Sequence, residues 1–186
     1  VAKGAWIGDS GLYLMIGGFR DVEVGDPEAL LGRVGEEAAP CATQLFDADR
    51  VAGWDHLYIA AVNAHRAFKA GSALSRSLPM EVLLYASCRD QISTALTVLG
   101  ISRSTRNVAL LVISGGMEEA MGCFERASRH LGVEDDSVLM VGEEKLRGLM
   151  EVYGVSVEEL EALGGSPYEA LTSLIIERGA LLAVHR

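Results

Sequence analysis

The sequence predicts an α+β fold: one central sheet of about five strands flanked by helices, with a helical C-terminal third. Three observations lead there. Asn107–Ile113 (NVALLVI) is continuously apolar, as a strand covered on both faces requires. Trp54–Lys69 places Leu57, Ala61, Ala64 and Phe68 at i, i+4, i+7 and i+11, one apolar stripe along a helix. Beyond about residue 141 only helical periodicities remain, with capping residues between them. No internal repeat, low-complexity segment or linker interrupts the 186 residues, which read as a single domain, 1–186.

The elements follow in order. Gly11–Phe19 (GLYLMIGGF) reads as the first strand. Asp26-Pro27 opens a helix through about Ala39, with proline at the first helical position, where its missing N–H is not needed. Thr43–Phe46 is a short strand, and Gly71 ends the helix that starts at Trp54. Glu81–Ser87 (EVLLYAS) is too continuously apolar for a half-exposed strand and is expected inside the sheet. Ser87, with Asp90 three residues on, is expected to cap a helix carrying Ile92, Ala95, Leu96 and Leu99, which Gly100 leaves in a left-handed conformation.

Asn107–Ile113 is the most apolar strand and is expected at the centre. Ser114-Gly115-Gly116 leads into a helix with Met117, Ala120, Met121, Phe124 and Leu131, closed by Gly132. Ser137–Val141 is expected as the fifth strand. Leu146, Leu149, Met150 and Tyr153 then mark a helix ended by Gly154. Ser156 with Glu159, and Ser166 with Pro167 and Glu169, predict capping boxes for two more. The last carries Leu171, Leu174 and Ile175 and is expected to stop at Gly179. The apolar tail Ala180–Val184 is then an extra edge strand or a partner surface.

Composition narrows the function. No run approaches the roughly 20 apolar residues that cross a bilayer, and the N-terminal VAKGAWIGDSG has no long apolar core. Cys41, Cys88 and Cys123 are an odd number at wide spacing; they fit neither a disulfide framework nor a zinc site, and are expected as packing residues in a reducing cytoplasm. The net charge of −10 argues against a general nucleic-acid binder, but it is unevenly spread. His56–Arg106 holds six basic residues against two acidic, a net +4, whereas Glu134–Glu177 is −9. Each region is either an ordinary solvated surface or the face for a different partner.

No catalytic constellation emerges. His56 and His65 are nine residues apart on one helix, about 900° of turn, so they point to opposite sides. No Cys/His pair has metal-ligand spacing, and no cofactor or metal is expected. Glycines at Ser114–Gly116 could offer N–H groups to a phosphate, but Glu118 and Glu119 would repel it and a tight turn explains the pair. The better candidate is the basic middle. Arg66 and Lys69 are i and i+3, His65 and Lys69 are i and i+4, Arg76 lies in the next loop and Arg89 beyond it.

The segments AAVNAHRAFKAG, MEVLLYAS and QISTALTVLGIS, with Ala61, Asn63, Ala64, Phe68, Lys69, Glu81, Ile92, Ala95, Leu96, Gly100, Ile101 and Ser102 in that order and spacing, resemble the kinase-binding-protein family. That family is the small accessory subunit of the KEOPS complex, which makes threonylcarbamoyladenosine in tRNA. The resemblance extends more loosely through KLRGLMEVYGVSVEELEALGG and the last helix, and is weakest over Gly18–Ala42. It implies a non-catalytic protein that binds the KEOPS kinase/ATPase subunit, associates indirectly with the other subunits, and helps hold the single-stranded 3′ CCA end of tRNA. Such ends are held by phosphate contacts and by stacking on splayed bases. The tRNA-binding residues expected on this reading are His56, His65, Arg66, Lys69, Arg76 and Arg89, with Tyr58 and Tyr85 as further stacking candidates. The kinase-subunit interface is expected at Leu171, Leu174, Ile175 and Arg178, although such a stripe is also what a core helix shows. The alternatives are a stand-alone cytoplasmic enzyme for a small anionic or nucleotide-like substrate, and a homodimer paired through the apolar tail.

Overall fold

The computed structural model describes residues 1–185. Its sheet is antiparallel throughout, with strands β1 (Lys3–Trp6), β2 (Tyr13–Arg20), β3 (Ala42–Asp47), β4 (Val108–Ser114) and β5 (Val133–Glu134). The order is β1-β2-β4-β3, and β5 pairs with the far end of β2. Every residue of β4 is buried, which its uninterrupted apolar run requires of a strand covered on both faces.

Strand alternation sorts the core into two layers. Val108, Leu110 and Val112 of β4, with Met15 and Phe19 of β2, pack with α1 (Pro27–Ala38) and α5 (Met117–Ser128). Ala109, Leu111 and Ile113, with Leu14 and Ile16, face the opposite way onto α2 (Trp54–Ala70), α3 (Leu78–Ser87) and α4 (Ile92–Leu99). A third cluster joins α6 (Glu143–Tyr153), α7 (Val157–Leu163) and α8 (Pro167–Ala180), and takes in Ala52 from the connection entering α2. The fold is α+β with a helical C-terminal region, as the sequence predicts.

Several local expectations are corrected. EVLLYAS is not a strand but most of α3. Ser77 caps that helix through Met80 N–H, Pro79 lies in its first turn, and Glu81–Ser87 are all buried. A helix buried all round has no 3.6-residue stripe, so its periodicity is silent. Ser87 therefore ends α3 instead of capping α4; Cys88 follows at φ 58°, and α4 starts after Gln91 without a side-chain cap. Gly100 leaves α4 at φ −69°, not in the left-handed region.

Ser137–Val141 is not a strand either. Asp135 accepts from the N–H and hydroxyl of Ser137 and starts a 3₁₀ turn at Asp136–Leu139, while the short pairing falls to Val133–Glu134. The first strand, β1, precedes the one the sequence marks; four residues exposed at both ends leave no apolar run to read. The Ser156–Glu159 capping box forms, whereas Ser166 makes no side-chain cap.

Gly179 does not stop α8, which runs to Ala180 and continues as a 3₁₀ turn, Leu181–Ala183, so the tail is not an edge strand. The glycine serves close packing: a Cβ there would lie 2.5 Å from the Tyr85 carbonyl oxygen of α3. Cys41 and Cys123 are not separate packing residues. They are 82 positions apart in sequence, yet the connection from α1 into β3 lies against α5 on one face of the sheet and brings their Cα atoms to 6.4 Å, where they form a disulfide. The pairing removes the spacing argument for a reducing compartment. Cys88 is the free cysteine, half-buried, its thiol pushed up to about 12 by burial. No helix among the described residues is long and apolar enough to cross a membrane.

Candidate functional site

The basic candidates separate into two groups according to how α2 lies on the sheet. The helix buries His56, Leu57, Ala60, Ala61, Ala64 and Ala67. That leaves Arg66 and Lys69 exposed and His65 half-buried on the opposite flank. Gly71, at φ 71°, turns the chain out of the helix, and Arg76 stands exposed on the connection that follows. Arg66, Lys69 and Arg76 make no ion pair among the described residues.

This connection is fastened from beneath. Glu81 of α3 is wholly buried, and its carboxylate accepts the backbone N–H groups of Leu74 and Ser75, the latter at 2.9 Å. Ser75 Oγ donates to Ser77 O at 2.8 Å. A carboxylate receiving main-chain N–H bonds is well satisfied in the interior, and the bonds fix the loop that carries Arg76. Glu81 counts among the two acids of the basic stretch, but its charge is not presented there. Its place in the apolar run LPMEVLLY was the available signal that it is buried. With Glu81 inside, Asp90 is the remaining exposed acid between His56 and Arg106.

Two predicted tRNA residues are placed elsewhere. His56 is 2% exposed. Its Nδ1 accepts Ala52 N–H at 2.9 Å, which leaves the proton on Nε2 to donate to Ala86 O at 2.8 Å. Burial lowers its pKa to about 4, so it is a neutral strut between the start of α2 and the end of α3. Arg89 is half-buried, donating to Cys88 O and to Val152 O near the C-terminus of α6, both at 3.3 Å. Of the stacking candidates, Tyr85 is buried in the core. Tyr58 is half-buried, stacked on Trp54 at 5.0 Å, with its hydroxyl on Trp6 O.

The expected kinase interface on α8 is also redistributed. Leu171 and Ile175 are fully buried in the third cluster and available to no partner; the apolar stripe is what seats the helix. Leu174 is half-buried at the edge of that cluster. Arg178 donates to Gly154 O at 3.0 Å and to both oxygens of Glu159, at 2.8 and 3.0 Å. The Ser156 N–H, then this guanidinium, hold the Glu159 carboxyl below its ordinary pKa.

The turn at Ser114–Gly116 is internally engaged. Ser114 Oγ donates to Glu119 and accepts Gly116 N–H at 3.3 Å. An amide that would meet a phosphate is thus already used, with a carboxylate beside it. Among the described residues no group of three or more His, Cys, Asp or Glu side chains could hold a metal ion.

These features define an α+β protein with an exposed basic flank on one central helix and an acidic helical C-terminal third. The chain belongs to the kinase binding protein CGI-121 family, whose sequence model matches residues 19–181. No curated protein matches it significantly.

Proposed function

We propose that this chain is a non-catalytic, cytoplasmic subunit of the KEOPS tRNA threonylcarbamoyladenosine machinery. It binds the kinase/ATPase subunit, reaches the other subunits through it, and helps retain tRNA by its 3′ CCA end. The observation that carries the reading is membership, over residues 19–181, of a family of kinase-binding proteins. The tRNA part is supported by exposed Arg66, Lys69 and Arg76 with half-buried His65, on a helix and a fastened loop where Glu81 is turned inward.

The mechanism is one of effective concentration. A tRNA held weakly at its 3′ end while another subunit engages its body is retained more tightly than by either contact alone. Binding would activate the kinase only by favouring one of its conformations over another.

Titration against the kinase/ATPase subunit from the same genome, with ATPase activity read in parallel, tests the core of the reading. Tight one-to-one binding is expected; no binding at micromolar concentration, with both proteins folded, sinks it. For tRNA, reversing Arg66, Lys69 and Arg76 to glutamate should weaken retention and reduce the log–log salt slope by about 2, the share of three phosphate contacts on a single strand. An unchanged affinity and slope would remove the basic flank from the proposal.

A further inference from the structure

We propose that the kinase partner docks on the groove between α6 and α7, through a segment that inserts an aliphatic side chain and flanks it with lysine or arginine. The inference rests on the kinase-binding reading above and assigns it a surface.

The groove is built by the short α6–α7 connection. Leu146 and Met150, i and i+4 on α6, form one wall; Val157 and Leu160 of α7 form the other, and Pro167 closes the end. It encloses about 340 Å³. That lies at the small end of the roughly 300–1,000 Å³ typical of ligand sites, and its walls are mostly aliphatic with few polar groups to orient a metabolite. It suits one anchoring side chain from a protein. Beside it α7 turns Val157 and Leu163 outward, each 55% exposed. A seven-residue helix that buries Leu160 while exposing two aliphatic residues leaves an apolar strip uncovered.

The charge around this strip selects the occupant. Glu161 lines the groove, and Glu158 follows Val157. Both acids are exposed; Glu144 and Glu151 of α6 lie instead on the opposite side of that helix, toward Asp49 and Asn107. Neither Glu158 nor Glu161 makes an ion pair among the described residues. The nearby cations are largely committed: Lys145 donates to three backbone carbonyls and Arg178 holds Glu159, which leaves Arg147 exposed. An RNA or a second copy of this acidic surface would be repelled, whereas a basic protein segment is attracted and steered.

The test measures affinity for the kinase/ATPase subunit with four variants of the full chain, each first checked by its melting curve. Val157→Asp places a charge in the apolar strip at an exposed position, and Leu163→Asp does so at the far end of α7. Glu158→Lys with Glu161→Lys inverts the rim. Met121→Asp, 52% exposed on α5 across the sheet, is the control. The expected result is at least tenfold weaker binding for the first three, loss of most salt dependence for the lysine pair, and no change for the control. If wild type binds and the three groove variants bind equally well, the groove is overturned and the kinase reading stands. If wild type does not bind, the reading and the groove fall together. If wild type self-associates and Val157→Asp abolishes that instead, the groove belongs to a second copy and the proposal is wrong.

Discussion

Around β4 every side chain from Val108 to Ser114 is buried, and the helices on both faces meet it through apolar contacts. The C-terminal helices pack on the rest through apolar contacts too, with Ala52 and Cys88 at the seam, but add side chains that reach main-chain carbonyls. Lys145 Nζ donates to Ala48 O, Val51 O and Val138 O at 2.7–2.9 Å. Tyr153 donates to Arg50 O at 2.8 Å, Thr172 to Ala52 O at 3.1 Å and Arg89 to Val152 O at 3.3 Å. The sheet's cohesion is spread over many apolar contacts, whereas the joint to α6–α8 adds to its apolar packing a few polar reaches, each removable by one substitution.

The largest effect is expected in the sheet. Leu111→Ala should cost about 4 kcal/mol by removing buried methyl groups and leaving a cavity between β4 and the α2–α3 layer. Urea unfolding should show one transition at a lower midpoint, with both regions melting together. If the helical cluster kept its structure after the sheet had melted, the two regions would be less coupled than their shared polar joint implies.

The next effect comes from acid. Below about pH 6.5 the unfolded chain protonates the imidazole at position 56, but the folded chain holds it neutral until about pH 4. The unfolded state therefore binds more protons across that window, and stability falls as pH is lowered through it, by about 3 kcal/mol in all. His56→Gln should show a smaller loss of urea midpoint between pH 7 and 4. An identical slope would mean that the acid sensitivity lies elsewhere.

The smallest effect sharpens the contrast. Burial lowers the Lys145 pKa to about 8, and the three carbonyls compensate the buried ammonium. Lys145→Met leaves three carbonyls without this donor but also removes a charge held out of water, and the second offsets part of the first, so the net cost should be about 1–2 kcal/mol. Hydrogen exchange should quicken in α6 while β4 stays protected. Equal quickening in both would mean that the substitution acts only through global unfolding, with no local opening of α6.

The same contrast explains what could be read from the sequence. β4, α2 and α5 declared themselves because a run covered on both faces, or a stripe on one, leaves a pattern in the chain. α3 left none: a helix buried on every side looks like a central strand. The Cys41–Cys123 pair depends on the start of β3 meeting α5 across 82 residues, which no local pattern encodes. At the candidate site, Arg66 and Lys69 were legible from their spacing along a helix whose stripe was clear. His56 was not, because its role is set by backbone groups at Ala52 and Ala86 that only the fold brings to it. On α8 the stripe was correctly seen, but a stripe does not say whether its cover comes from the same chain or from another.

Gly179 has a consequence for how this architecture can drift over generations. Its position against the Tyr85 carbonyl leaves no room for even one carbon atom. A descendant that acquires alanine there must lift α8 away from α3, and with it Ile175, whose carbonyl meets the Cys88 thiol at 3.5 Å. The separation of those two helices in a diverged sequence can thus be read from a single letter.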